Sequence, residues 1–281
     1  MAAGAPPLTP PELGVIASKP AHSQKIIDAE KKLIYFLKDK GYPFAKIEDR
    51  EVVVNRAQKY VSVKLLVDKG PYLHFGQSRI QGLQKVKELF LLRKIEWKPD
   101  EVFSISKLEK TQKDLEESGL FSSVAIATEN YLDGNTIPTV ITVTERKHRS
   151  IGTGASYSTY KGIGGLVEWE HRNIRNLGEK VSVTANITER SKLGNVTYQK
   201  PDFRRKGQDL LWIVEGEEES TKSYRKRDYN FSGIINRKID DRLNFSYGGK
   251  LEQQKTTNSD NDRYDTLFSI PLRLNWINTP V

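Results

Sequence analysis

The chain has 281 residues, 37% of them hydrophobic and 29% charged, enough for two or three units with a core of their own. Its longest apolar runs, such as Leu89 to Leu92, fall far short of the roughly 18 to 20 residues that span a bilayer as a helix. That excludes a helical membrane protein but not a β-barrel, whose strands alternate lipid-facing and lumen-facing residues and so keep mean hydropathy low. The net charge of +9 comes from Lys and Arg interspersed with Asp and Glu, which is not the segregated basic surface of a nucleic-acid binder. The absence of cysteine rules out disulfides and thiolate metal sites. The histidines His22, His74, His148 and His171 lie far apart without ligand spacing, so solvated or hydrogen-bonded imidazoles are expected and no metal site.

Residues 1–22 form a Pro/Ala-rich tail, without the basic region and apolar stretch of a signal peptide. An exported protein would need its signal elsewhere. From Ser23 to Lys40, Ile26, Ala29, Leu33 and Leu37 share a helical face, and Gly41 supplies a stop. Strands are expected around Ala45 to Val54 and Tyr60 to Val67, with Lys69-Gly70-Pro71 closing the unit. The next unit opens with a strand from Tyr72 to Ile80, a short helix near Val86 to Ile95, and a loop through Lys98-Pro99-Asp100. A second helix is expected from Ser106, where Ser106-Lys107-Leu108-Glu109 fits a capping box. It ends at Gly119, and strands follow at Phe121 to Thr128 and Ile137 to Glu145. The two units resemble each other. Leu37-x-x-x-Gly41-Tyr42 and Leu115-x-x-x-Gly119-Leu120 each end a helix and enter a strand, and the first copy lacks the second's opening strand and helix.

From Ser150 onward, long alternating segments replace helical spacing. In the clearest, Tyr264, Thr266, Phe268, Ile270, Leu272, Leu274 and Trp276 share one face. At about 3.3 Å per residue and a tilt near 40°, Tyr264 and Trp276 would lie roughly 30 Å apart along a membrane normal, fitting aromatics at its two interfaces. Weaker alternation marks Val181/Val183/Ala185/Ile187, Leu210/Trp212/Val214, Phe231/Gly233/Ile235 and Leu243/Phe245/Tyr247, separated by polar loops such as Gln253 to Asp262. A soluble antiparallel sandwich is the competing reading. Strands of ten or more residues argue against it, because soluble strands average about five or six.

Three groups of motifs carry a family resemblance. Gly70-Pro71-Tyr72-Leu73-His74-Phe75-Gly76 with Ile80-Gln81-Gly82, then Leu115-x-x-x-Gly119-Leu120-Phe121-x-x-Val124, resembles a POTRA domain preceding a barrel. Gly152-x-Gly154-Ala155-Ser156-Tyr157-Ser158-Thr159 resembles the first barrel strand of the TamA branch. Glu168-Trp169-Glu170-His171-Arg172-Asn173-x-x-x-Asn176-Leu177-Gly178 and Tyr198-x-x-Pro201 continue the likeness. In order and spacing the chain resembles the Omp85 superfamily, of the TamA/BamA kind.

The resemblance implies α+β POTRA repeats followed by an antiparallel transmembrane β-barrel, here partial, with about eight of sixteen strands. It divides the chain into the tail at 1–22, a partial POTRA-like unit at 23–70, a complete POTRA domain at 71–147, and the N-terminal half of the barrel at 148–281. It implies an outer-membrane location with periplasmic N-terminal domains. Function would be assembly or translocation of outer-membrane proteins. Partners would be unfolded outer-membrane proteins or autotransporters, a periplasmic or inner-membrane assembly partner, and outer-membrane lipid, with no nucleic acid. A soluble binding module and a passive diffusion channel are the alternatives.

Strand addition gives this a physical basis, because an exposed sheet edge offers unpaired N–H and C=O groups to a client strand. The expected seam is the first barrel strand, Ile151, Gly152, Thr153, Gly154, Ala155, Ser156 and Tyr157, whose glycines weaken a strand interior or permit curvature. A second edge is expected at Ser123, Val124, Ala125, Ile126 and Ala127. No catalytic residue or cofactor is expected. Gly76-Gln77-Ser78-Arg79-Ile80 fails the nucleophile-elbow pattern at its last position. Gly162-Ile163-Gly164-Gly165 reads as a hairpin turn, and Glu215-Gly216-Glu217-Glu218-Glu219 as a solvated loop or strand end.

Overall fold

A computed structural model describes residues 22–277, apart from 56, 58, 59, 130, 131, 241, 259 and 260. The Pro/Ala-rich tail lies outside the described residues except for His22. The described residues form two compact units. One comprises 22–82, 95–117 and 123–143, the other 83–94, 118–122 and 144–277.

In the first unit, helix α1 (Ser23–Asp39) ends as its sequence dictates. Gly41 takes φ +95°, and the Tyr42 amide turns back to the Leu37 carbonyl at 3.1 Å, closing a Schellman-type stop. Leu37, Tyr42 and Ala45 are buried together, with Leu33, Ile34, Phe36, Val67 and Tyr72 packed around them. Strands β1 (Lys46–Asn55) and β2 (Tyr60–Asp68) pair antiparallel, with a register shift between Ile47 and Asp49.

Strand β3 (His74–Gln81) follows, then helices α2 (Glu88–Lys94) and α3 (Ile105–Glu117) and strands β4 (Phe121–Thr128) and β5 (Thr136–Glu145). The sheet order is β3-β5-β4, with β3 parallel to β5. Its core in the first unit is aromatic. Phe75 stacks on Trp97 at 4.9 Å and meets Phe103 at 5.0 Å, with Leu73, Leu115, Ile137 and Ile141 fully buried. Truncating one such ring costs about 3 to 5 kcal/mol. The Trp97 indole N–H donates to Ser78 Oγ at 3.1 Å, so its one polar atom is satisfied. The repeated helix stop holds as well, since Gly119 takes φ +70° after α3 and Leu115 is buried like Leu37.

The expected capping box does not form. Helix α3 begins at Ile105, which places Ser106 inside its first turn. The amide of Ser106 donates instead to the carboxylate of Asp39 at 3.1 Å, and Ser104 donates its hydroxyl to the same oxygen. Glu109 accepts from Tyr35 Oη at 2.8 Å rather than reaching back. A carboxylate from another helix outcompetes the local hydroxyl because a charged acceptor bonds an amide more strongly.

The second unit is dominated by a large antiparallel sheet. Its strands are β6 (Arg149–Ser158), β7 (Gly162–His171), β8 (Lys180–Thr188), β9 (Ser191–Lys200), β10 (Gln208–Ser220), β11 (Tyr224–Lys238), β12 (Leu243–Asn258), β13 (Asp262–Ser269) and β14 (Leu272–Trp276). Each pairs with its sequence neighbours, from β6 to β13, and β14 also pairs with β12. Ser269 faces Lys250 and Leu272 faces Tyr247, so β13 and β14 keep one register. They are a single strand interrupted at Ile270-Pro271, where Pro271 has no N–H to give. Among the described residues the meander thus has eight strands and is not closed. The polar stretch Gln253 to Asp262, expected as a loop, runs as strand through Asn258. Thr256 and Thr257 suit a pleated surface, and β11 and β13 satisfy the backbone on both sides. No helix among the described residues is long and apolar enough to cross a membrane.

Candidate functional site: a membrane wall and its strand edges

The register of the large sheet sorts its residues by face. One cross-strand row runs Ile151, Trp169, Val183, Val196, Val214, Phe231, Leu251 and Phe268. One residue along each inner strand, the opposite face reads Glu168, Thr184, Asn195, Glu215, Asn230 and Glu252. The apolar face is bare, with Ile151 74%, Val214 50% and Phe268 67% exposed. The polar face is the enclosed one, where Glu170, Ser191 and Ser232 are each under a tenth exposed. This inverts a water-soluble sheet, in which the apolar side would be covered. It matches the wall of a membrane barrel, apolar outside and polar within.

Charges on the polar face are compensated locally. Lys250 pairs with Glu252 and Lys226 with Asp228, each at 2.7 Å. Glu215 accepts from Asn195 and Asn230 at 3.3 and 3.2 Å, and Glu217 accepts from the Ser191 hydroxyl at 2.9 Å. The acidic stretch at Glu215 to Glu219 is therefore the far end of β10, its odd-numbered carboxylates facing inward to partners. Gly162 opens β7 with φ +79° just after a three-residue hairpin connection.

The near-end turns are locked by residues of the resemblance motif. Asn173, fully buried, accepts the Gly178 amide on its side-chain oxygen at 2.9 Å. Glu179, also buried, lies 3.6 Å from both Arg175 and Lys200. Helix α2 docks on these turns. The Lys87 amide donates to the Asn176 carbonyl at 2.9 Å, and Lys94 pairs with Asp202 at 2.7 Å.

A clasp that the sequence did not reveal fixes the segment before α2. Glu145, at the end of β5, accepts the backbone amides of Gln84, Lys85 and Val86 at 2.7, 2.9 and 2.9 Å. Burial pushes its carboxyl up, but those amides and the nearby His148 more than offset this and hold it below the usual carboxylate range. His148 lies 3.6 Å away, its pKa lowered chiefly by burial. The only local signal was a glutamate ending an alternating strand.

Strand β6 pairs only with β7 among the described residues and lies at one border of the sheet. Ile151, Thr153, Ala155 and Tyr157 share the apolar face, while Gly152, Gly154 and Ser156 face the polar side. A Cβ on Gly152 or Gly154 would meet nothing closer than 3.8 Å. Space does not demand these glycines, and they leave one side of the border strand bare. Strand β4, holding Ser123 to Ala127, is an edge of its three-stranded sheet, and β3 is the other. Val124 is buried, whereas Ser123, Ala125 and Ala127 are exposed. Tyr264 and Trp276 are 68% and 74% exposed on the apolar face.

Two family models match this chain. The POTRA model, surface antigen variable number repeat, matches residues 73–146, and the Omp85 superfamily domain matches 173–276. The chain belongs to the Omp85 superfamily. Among curated relatives, a Treponema pallidum (strain Nichols) protein named "Putative outer membrane protein assembly factor" is 26% identical over 136 residues, which cover 47% of this chain and 16% of that protein. Among solved structures, BamA from Haemophilus ducreyi lacking POTRA domains 1–3 matches with a TM-score of 0.73 and 19% identity, over 96% of this chain and 57% of that one. CdiB from Acinetobacter baumannii matches at 0.55 and 12% identity, over 92% and 52%. These likenesses place the fold of this Omp85-superfamily chain as BamA-like. The chain spans about half the length of those solved chains and less than a fifth of the curated relative.

Proposed function

We propose that this Omp85-superfamily chain takes part in assembling or translocating outer-membrane proteins, with residues 71–147 as a periplasmic POTRA domain and 148–281 as the first half of a membrane barrel. The observation that carries this is the inverted sheet, whose long apolar face is exposed while its polar face is enclosed. Clients would be unfolded outer-membrane proteins or autotransporters, added as strands at the β6 border from Ile151 to Tyr157 and at the β4 edge from Ser123 to Ala127. Unpaired amides and carbonyls at such a border are costly within a bilayer, so a strand that pairs with them is bound by main-chain hydrogen bonds. Tyr264 and Trp276 would mark the two interfaces of the membrane.

The chain has no cysteine, so the contact can be tested with a single introduced thiol. With Thr153→Cys in liposomes, a peptide from the last strand of an outer-membrane protein, bearing one cysteine, is expected to form a disulfide far more readily than its scrambled counterpart. Equal yields for the two peptides would sink the β6 proposal. Steady ion conductance without faster client insertion would favour the channel reading instead.

A further inference from the structure

The apolar face of the wall changes chemistry at its far end. Along β11 and β12, the pair Phe231 and Leu251 is followed by Tyr229 and Gln253, then Arg227 and Lys255, then Arg225 and Thr257. All alternate at a period of two and therefore share the outer face. The Arg227 row continues to Tyr264 on one side and to Glu218 on the other. It stands four residues, roughly 13 Å along the strand, beyond the row of Phe231.

Lys222, in the turn between β10 and β11, joins Arg225, Arg227 and Lys255 around a cavity of about 500 Å³. Among the described residues, two carboxylates answer these four cations. Glu218 lies 3.6 and 3.3 Å from the Nε atoms of Arg225 and Arg227, and Asp262 lies 2.9 Å from Lys255 Nζ. The patch keeps an excess positive charge, while Lys255 also sits 4.8 Å over the ring of Tyr264.

We infer that this patch binds the phosphate of an anionic lipid headgroup at the far membrane interface. Guanidinium groups match phosphate geometry and bind it through several donors at once. The apolar rows directly below commit the ligand to a lipid, because acyl chains can lie along Phe231, Leu251 and Phe268 while the cations hold the headgroup. A free anion would use only the upper half of this surface. The inference rests on the outer face being lipid-exposed.

The test uses the full chain in dodecylmaltoside micelles, with phosphatidic acid and phosphatidylcholine carrying the same brominated acyl chains, and reads quenching of tryptophan fluorescence. Trp212 stacks on Phe231 at 5.4 Å, below the patch on the same face. Phosphatidic acid is expected to half-saturate at about tenfold lower mole fraction than phosphatidylcholine, and the R225Q/R227Q/K255Q variant to bring the two within about twofold. Lys250→Gln, on the polar face, should leave the preference intact. Equal half-saturation in the parent, or a preference that survives the triple variant, overturns the inference. So does displacement of phosphatidic acid by millimolar inorganic phosphate, which would mark a free-anion site. Quenching by neither lipid would instead refute the lipid-exposed face, and the patch with it.

Discussion

Val214→Arg places a cation in the middle of the apolar face, and its effect has opposite meanings in water and in lipid. Val214 is half exposed and faces Val196 and Phe231 across the strands. Its row meets Phe268, four residues from Tyr264 and eight from Trp276, so it lies about two residues, or ~5 Å along the normal, from the midpoint of the band. A cation at the midplane of a barrel costs about 2 to 4 kcal/mol and less toward the interfaces, giving about 2 kcal/mol at this depth. On a water-exposed sheet, the same substitution would stay within about 0.5 kcal/mol. Urea unfolding of the chain in liposomes, read by the mobility difference between folded and unfolded forms on cold gels, measures the change. Thr184→Arg is the control, because Thr184 lies on the polar face opposite Glu168 and a cation there should cost close to nothing. An unchanged midpoint for Val214→Arg, or a larger loss for Thr184→Arg, would refute the assignment of the two faces.

Glu145→Ala removes the acceptor of three amides; losing these charge-assisted bonds should cost about 3 kcal/mol locally and speed exchange of the Val86 amide on the order of a hundredfold, measured by hydrogen exchange. Asp39 is raised by burial but more strongly lowered by Ser104 and Ser106, so its carboxyl lies below the ordinary 3.8. Its cap on α3 is therefore complete above that value and lost as pH falls through the lower, folded value; the protection of the Ser106 amide, measured against its intrinsic exchange rate at each pH, should fall in acid, and Asp39→Asn should remove that dependence. Gly248→Ala would set a Cβ 2.2 Å from the Gly233 carbonyl oxygen, forcing two paired strands apart. Its urea midpoint should fall well below that of Gly194→Ala, where a Cβ would meet nothing within 4 Å.

Alternation along β13 and β14 was readable because both faces of a long strand advertise their solvent, and Tyr264 through Trp276 do share one face. The helix stops at Gly41 and Gly119 were equally legible, since both depend on a local backbone conformation that glycine alone adopts cheaply. The cap of α3 was not. Ser106 and Glu109 satisfied the local pattern, yet the bonding partners Asp39 and Tyr35 lie more than sixty residues earlier in the chain. Glu145 failed to stand out for the same reason, as its amide partners come from a segment about sixty residues before it. The far end of β12 was misread because Gln253 to Asn258 lacks apolar alternation, which a strand needs only where one side is apolar. The edge expected at Ser123 to Ala127 does lie at a border, as the order β3-β5-β4 shows, whereas the parallel pairing of β3 with β5 that sets this order is long-range and left no local mark.

The cap on α3 has a mechanical consequence. The last residue of α1 holds the first turn of α3 through a carboxylate, and Tyr35 ties the two helices again one turn away at Glu109. Two links about a helical turn apart resist twisting as well as separation. A torque applied to the β1–β2 hairpin would reach α3 with little slack, so the repeated modules would turn as one lever arm rather than as beads on a string.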